Sequence, residues 1–239
     1  MAKPQFTENQ IYHVYNRGVE KRNVFLDRTD HLRFIHDLYE MNDAAATANV
    51  LYYFNPKSME VEPQYIQPTG RKHKRKLLVE ILVFTLMPNH YHLLLRQKSE
   101  NGIVKFMQKL GTAYTMYFNK KHERVGALFQ GRFKAVRVET DAHFLYVPFY
   151  IHANPVFKKR QSDSLGRDAV VRTLAKYKWS SFQDYIGKKN FPSVTSRDFL
   201  LSFHGGEKQF LQETKRLLRE YQPEKVVDEI GNIVLEDVV

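Results

Sequence analysis

The sequence predicts an α+β domain built on an antiparallel sheet, and three observations carry that prediction. Short runs of aromatic and β-branched residues alternate with longer stretches of helical periodicity. A Pro-Asn turn at residues 88 and 89 joins two apolar runs in the manner of a hairpin. In chain order the elements read strand, helix, strand, strand, helix, strand.

Ile11-Tyr12-His13-Val14-Tyr15-Asn16 is rich in strand-forming residues and closes at Arg17-Gly18, so it is the first strand. Asp27-Arg28-Thr29-Asp30 opens a helix. On it Leu32, Ile35, Leu38, Tyr39 and Met41 fall at helical spacing, with Phe34 and His36 off that face. Residues 42–76 break the period. They hold Pro56, Pro63, Pro68 and Gly70, and finish in the basic run from Arg71 to Lys76. This is an insertion or a long hairpin, whose cationic end is either a solvated loop tip or a contact to phosphate.

Residues 77–86 and 90–95 pair as the hairpin, and both strands are expected to be central because both are apolar on more than one face. Asn101-Gly102 starts a helix of about twenty residues, with Val104, Met107, Leu110, Gly111, Tyr114 and Phe118 as its buried stripe. Gly126 and Gly131 bracket an apolar patch amid cations, a tight turn or a place where backbone approaches phosphate. Residues 133–139 alternate as a strand. Thr140-Asp141 caps a helix from Ala142 to about Ala153. Pro148 should kink that helix or delay its start, and Asn154-Pro155 should end it. A basic connector is expected over 157–176, then an aromatic cluster of Tyr177, Trp179, Phe182 and Tyr185, and a last helix over about 207–221. This element order is the ferredoxin-like one, with helices on one face of the sheet.

Charge bounds the function. Lys and Arg total 37 against 26 Asp and Glu, giving a net charge of +11. Together with 14 Tyr and 17 Phe, this points to a polyanionic partner, nucleic acid first, over a basic protein with no such partner. Cysteine is absent, which excludes disulfides, thiolate zinc sites and cysteine nucleophiles. The first residues carry no apolar leader, and no run of apolar residues is long enough to span a bilayer, so a cytoplasmic location is expected.

The chemistry gathers at two places. In a strand His90 and His92 project to one face, with Tyr91 and Leu93 on the other, and two imidazoles on a rigid strand make two corners of a metal site. On a helix Tyr150 and Asn154 stack one turn apart. A carboxamide oxygen can complete a site begun by imidazoles, and a phenol beside it could attack a phosphate held there. Each piece alone is ordinary: paired histidines are often structural, a helical Tyr is usually packed, and Asn before Pro is usually a terminator. Tyr114 and Tyr117, near Asn119, are the competing nucleophiles. His152 faces elsewhere on the helix, as a DNA contact or a packed imidazole. Arg17, Arg124, Arg132, Lys134 and Lys158 are the candidate DNA-binding cations.

Met87-Pro88-Asn89-His90-Tyr91-His92-Leu93-Leu94-Leu95 resembles the HUH motif of single-tyrosine transposases, of the insertion-sequence-200-like superfamily. Tyr150-Ile151-His152-Ala153-Asn154-Pro155-Val156 resembles their tyrosine-helix motif. Residues 12–18, 129–134 and 179–181 resemble further signatures of one branch, the REP-associated tyrosine transposases. The resemblance runs from about residue 10 to 186 and departs at Tyr91, a larger residue than usual between the histidines, and at Pro148. It implies a transposase domain over 1–186 with an insertion at 42–76, and a C-terminal helical extension and tail over 187–239. It also implies an HUH-endonuclease-like fold and a single-stranded DNA endonuclease and strand transferase acting at DNA hairpins like repetitive extragenic palindromes, as a monomer or homodimer. By the resemblance His90, His92 and Asn154 bind Mg²⁺ or Mn²⁺, and Tyr150 forms a 5′-phosphotyrosine. The rival readings are a nucleic-acid-binding protein that does not cut, and a metal nuclease that uses water.

Overall fold

The computed structural model describes residues 5–45, 51–55, 60–64, 75–160 and 167–220. Strands β1 (Ile11–Arg17), β4 (Val79–Met87), β5 (His90–Gln97) and β6 (Lys134–Val138) form one antiparallel sheet in the order β4-β5-β1-β6. β2 (Leu51–Asn55) and β3 (Glu60–Gln64) form a separate hairpin inside the interval read as an insertion. Gly18 ends β1 where the chain turns back, because a side chain there would meet the Arg22 carbonyl oxygen at 2.3 Å.

Helices α1 (Arg28–Glu40) and α2 (Gly102–Lys121) cover one face of the sheet. They meet Tyr12, Val14, Tyr91, Leu93 and Leu95, the strand residues that point that way. Asp27 caps α1 by accepting from the Asp30 N–H at 2.9 Å. Its buried stripe is His31, Phe34, Ile35 and Leu38, so Phe34, read as off the face, is fully buried instead. Leu32 and Tyr39 flank the stripe half-buried. The rings decide the rotation: Phe34 lies 5.0 Å from Tyr91 and 4.9 Å from Tyr114. On α2 the stripe includes Ile103 and Phe106, while Val104 and Gly111 are only half-buried.

The opposite face carries α3 (Asp141–Arg160), with α4 (Arg167–Lys176) and α7 (Glu207–Glu220) behind it. Helices expected on one face thus occupy both. The central strands are apolar on both sides, and each side needs cover. α3 does not stop at Asn154-Pro155 but runs to Arg160. Proline removes one donor, yet Ala153 and Val156 are buried and tertiary packing holds the next turn. Part of the interval read as a connector is therefore the end of α3 and the whole of α4.

β4 is an edge strand rather than a central one. Its outer edge is sealed by chain from beyond α4. Leu86 N–H donates to Trp179 O at 2.8 Å, Ser181 N–H to Phe84 O at 3.0 Å, and Ser196 N–H to Ile81 O at 2.8 Å. This strap leads into α5 (Phe182–Tyr185), α6 (Asp198–His204) and α7. Leu200, Phe210, Leu217 and Leu218 of the last two helices bury in the same cluster as Tyr150 and Ile151. Among the described residues no helix is long and apolar enough to cross a membrane.

Candidate active site

The site lies between the β1–β5 pair and α3. In the antiparallel register Arg17 sits opposite His90 and Tyr15 opposite His92, so all four side chains leave the same face. Lys134 of β6 sits opposite Tyr15 and joins them. Period-two geometry sends Tyr91 the other way, into the α1–α2 core, where its bulk fits against Phe34 and Phe129.

His90 is oriented from both sides. Its Nδ1 lies 2.7 Å from Asn89 Oδ1. A carbonyl oxygen accepts, so this contact assigns the ring proton to Nδ1 and leaves the lone pair on Nε2. That Nε2 lies 3.3 Å from Asn154 Oδ1 across 64 residues of sequence. Two lone pairs converge there, the spacing expected of neighbouring ligands on one cation, about 3 Å for bonds of about 2.1 Å. His92 is fully buried, and its Nε2 has no hydrogen-bond partner among the described residues. Burial first, then His90, His13 and Arg17, hold the His92 imidazole well below the usual range, so its ring is neutral.

These donors fit a divalent cation: two imidazoles and one carboxamide oxygen, with an orphaned buried nitrogen among them. His90 and Asn154 keep only 5 % and 8 % of their surface, and the contact between them is buried. Tyr150 stands deeper, 1 % exposed, with its ring edge-on 5.7 Å from His92 and 6.1 Å from His13, and stacked 5.9 Å from Phe157. The structure therefore brings His90, His92, Asn154 and Tyr150 together. The competing tyrosines are elsewhere: Tyr114 donates its hydroxyl to Val24 O at 2.5 Å, and Tyr117 meets Asp30 Oδ1 at 3.3 Å, both on the α1–α2 side. Another group able to hold a metal ion, His36, Asp37 and Glu40 on α1, already has a cation in it, the Arg33 guanidinium 3.0 Å from Asp37.

The cations divide. Arg17 and Lys134 share the face of the histidines. Arg124 lies at the end of α2, its guanidinium 2.7 Å from Asn119 Oδ1 and over the Phe118 ring. Arg132 is exposed and lines a cleft of about 490 Å³ on the α2 side, with Asn16, Gly111, Gly131 and Phe133. Lys158 is in the last turn of α3, and its side chain lies outside the described residues, as do positions 71–74 of the basic run. Arg75 donates to the Tyr39 and Asn42 carbonyls and lies over the Tyr39 ring, a strut at the end of α1.

Three residues of the quoted motifs have no individual role in the sequence reading. His13 Nε2 lies 2.9 Å from His92 Nδ1, 79 residues away. Asn89, read only as a turn residue, fixes the His90 ring. Ser181 meets His152 Nε2 at 2.8 Å and accepts from the Phe84 N–H at 3.0 Å, tying α3 to β4. His152 is thus the packed imidazole of the two readings, pushed down to about 3 by burial and by His204. The period-two side of β1 puts His13 and Tyr15 on one face, and residues 12–18, 87–95 and 179–181 already stand out as motif segments.

Residues 59–154 match the family described as Transposase IS200 like. Among solved structures the chain is similar to one described as a REP-associated tyrosine transposase bound to a REP hairpin. The two share 12% identity and a TM-score of 0.50, over 83% of this chain and 92% of that chain. No curated protein matches the chain. Over residues 59–154, the span that holds His90, His92, Tyr150 and Asn154, the chain is similar to the IS200-like transposase family, and its fold is similar to that of a REP-associated tyrosine transposase.

Proposed function

We propose that the protein nicks and rejoins single-stranded DNA beside hairpins, through a covalent bond between Tyr150 and a 5′-phosphate. The carrying observation is the convergence of His90 Nε2 and Asn154 Oδ1 at 3.3 Å beside the orphaned His92 Nε2, with the Tyr150 ring against them. His90, His92 and Asn154 would hold Mg²⁺ or Mn²⁺, which as a Lewis acid neutralises charge on the scissile phosphate and orients it. The Tyr150 oxygen bonds to phosphorus as the bond to the 3′ oxygen breaks. The phenol gives up its proton, and the departing oxygen takes one to become a 3′-hydroxyl. Attack by another 3′-hydroxyl reverses the step, so no nucleotide cofactor is needed. Arg17 and Lys134 flank the histidines and would position the backbone by charge. The DNA hairpin as partner is proposed from the family and from the hairpin in the similar structure's description.

The test mixes the protein with labelled hairpin-bearing single strands and Mn²⁺ on a denaturing gel. A protein–DNA band of reduced mobility, lost in Tyr150→Phe while hairpin binding persists, is expected. Cleavage with no covalent band points to a water-using nuclease, and binding without cleavage to a non-cutting binder.

A further inference from the structure

We infer that His13 is a positioning residue: it accepts the Nδ1 proton of His92 and so fixes the tautomer and ring plane that present His92 Nε2 to a cation. This rests on the metal reading of His90, His92 and Asn154. The geometry is specific. His13 stands opposite Leu94 in the register, so it is the diagonal neighbour of His92 on the same face. The two rings are within 16° of parallel, with His13 Nε2 2.9 Å from His92 Nδ1, an in-plane contact. Both residues are fully buried, so no water competes for that proton.

One proton lies between the two nitrogens, and its owner decides what His92 can do. If His13 donates, the His92 proton moves to Nε2, and the nitrogen facing the site becomes a donor that repels a cation. If His92 donates, Nε2 keeps its lone pair. Nothing among the described residues accepts a proton from His92 Nε2, and a buried N–H without a partner is costly. The second arrangement leaves only a lone pair there, the state a metal ligand needs. The same logic operates at His90, where Asn89 Oδ1 takes the Nδ1 proton. Each histidine of the pair therefore has its own proton acceptor, Asn89 from the turn and His13 from the neighbouring strand.

Three variants separate this role from packing. His13→Phe keeps a ring and loses the acceptor, His13→Gln keeps an acceptor oxygen, and His90→Ala removes a proposed ligand. Mn²⁺ affinity of each full chain is read by paramagnetic resonance titration, with circular dichroism to check folding. The ¹⁵N shifts of His92 are read by two-bond correlation spectroscopy. We expect the wild type to show His92 as the Nδ1–H tautomer. His13→Phe should bind Mn²⁺ about 10–100-fold more weakly, and His13→Gln to within about threefold of wild type, since its oxygen can take over as acceptor. An Nε2–H tautomer in the wild type, or equal affinity in His13→Phe and wild type while His90→Ala binds no Mn²⁺, overturns the inference and leaves the metal site standing. If the wild type itself binds no Mn²⁺, the metal reading fails and the inference with it.

Discussion

Asp37 shows how a single buried carboxylate writes itself into the stability of the protein. Burial raises its pKa from the ordinary 3.8 to about 7, against the pull of Arg33, with His36 and Glu40 the other ionisable neighbours. The folded state thus favours the protonated form. Its contribution is fully present below about pH 4 and is lost as pH rises through 7. We expect Asp37→Asn to remove that slope. Its stability relative to wild type should grow from pH 4 to pH 8, by an amount of order a few kcal/mol, in denaturant titrations at each pH. A difference independent of pH would mean that Asp37 is ionised throughout. Among the cations, Arg17→Ala and Lys134→Ala should each flatten the salt dependence of DNA binding by about one unit of slope. Arg124→Ala should leave that slope unchanged, because its guanidinium already serves Asn119 and Phe118. Much of the site was legible at this scale. The i, i+2 spacing of His90 and His92 and the i, i+4 spacing of Tyr150 and Asn154 are local, and local periods survive folding. The His13–His92 contact joins residues 79 apart, and no local period reports it.

At the scale of elements the strap at Trp179–Ser181 matters most. It gives an edge strand its missing hydrogen bonds and, through Ser181, grips His152 on the helix that carries Tyr150. Ser181→Ala leaves the buried His152 Nε2 without that partner. It should cost about 1–3 kcal/mol in denaturant unfolding, and any loss of cleavage beyond the unfolded fraction would report a displaced Tyr150. A variant with unchanged stability would mean that the hydroxyl is replaced by water. The strap also explains where the sequence misled. Apolarity on both faces of β4 reads as a central strand, because burial by an irregular segment and burial by a strand leave the same signature. Pro155 misled in the same way: proline marks the end of an isolated helix, while the packing of Val156 carries α3 past it.

At the scale of the molecule, two apolar clusters lie on opposite faces of one sheet. The residues after 186 contribute to both: Phe191 and Val194 to one, Leu200, Phe210 and Leu217 to the other. The segment read as an extension therefore supplies core. A chain ending at residue 197 should lose cooperative thermal unfolding, because the α3 side would be left uncovered. Retained cooperativity at an unchanged midpoint would show that α6 and α7 are dispensable. The long-range stitching of the site has one more consequence. His90 must meet Asn154, 64 residues later, and α3 is clamped only when Ser181 arrives, 29 residues after His152. Polypeptides leave the ribosome amino end first. On the proposed reading, the nascent chain carries both histidines well before it has a working centre, and a DNA-cutting activity is armed only once synthesis has passed Ser181.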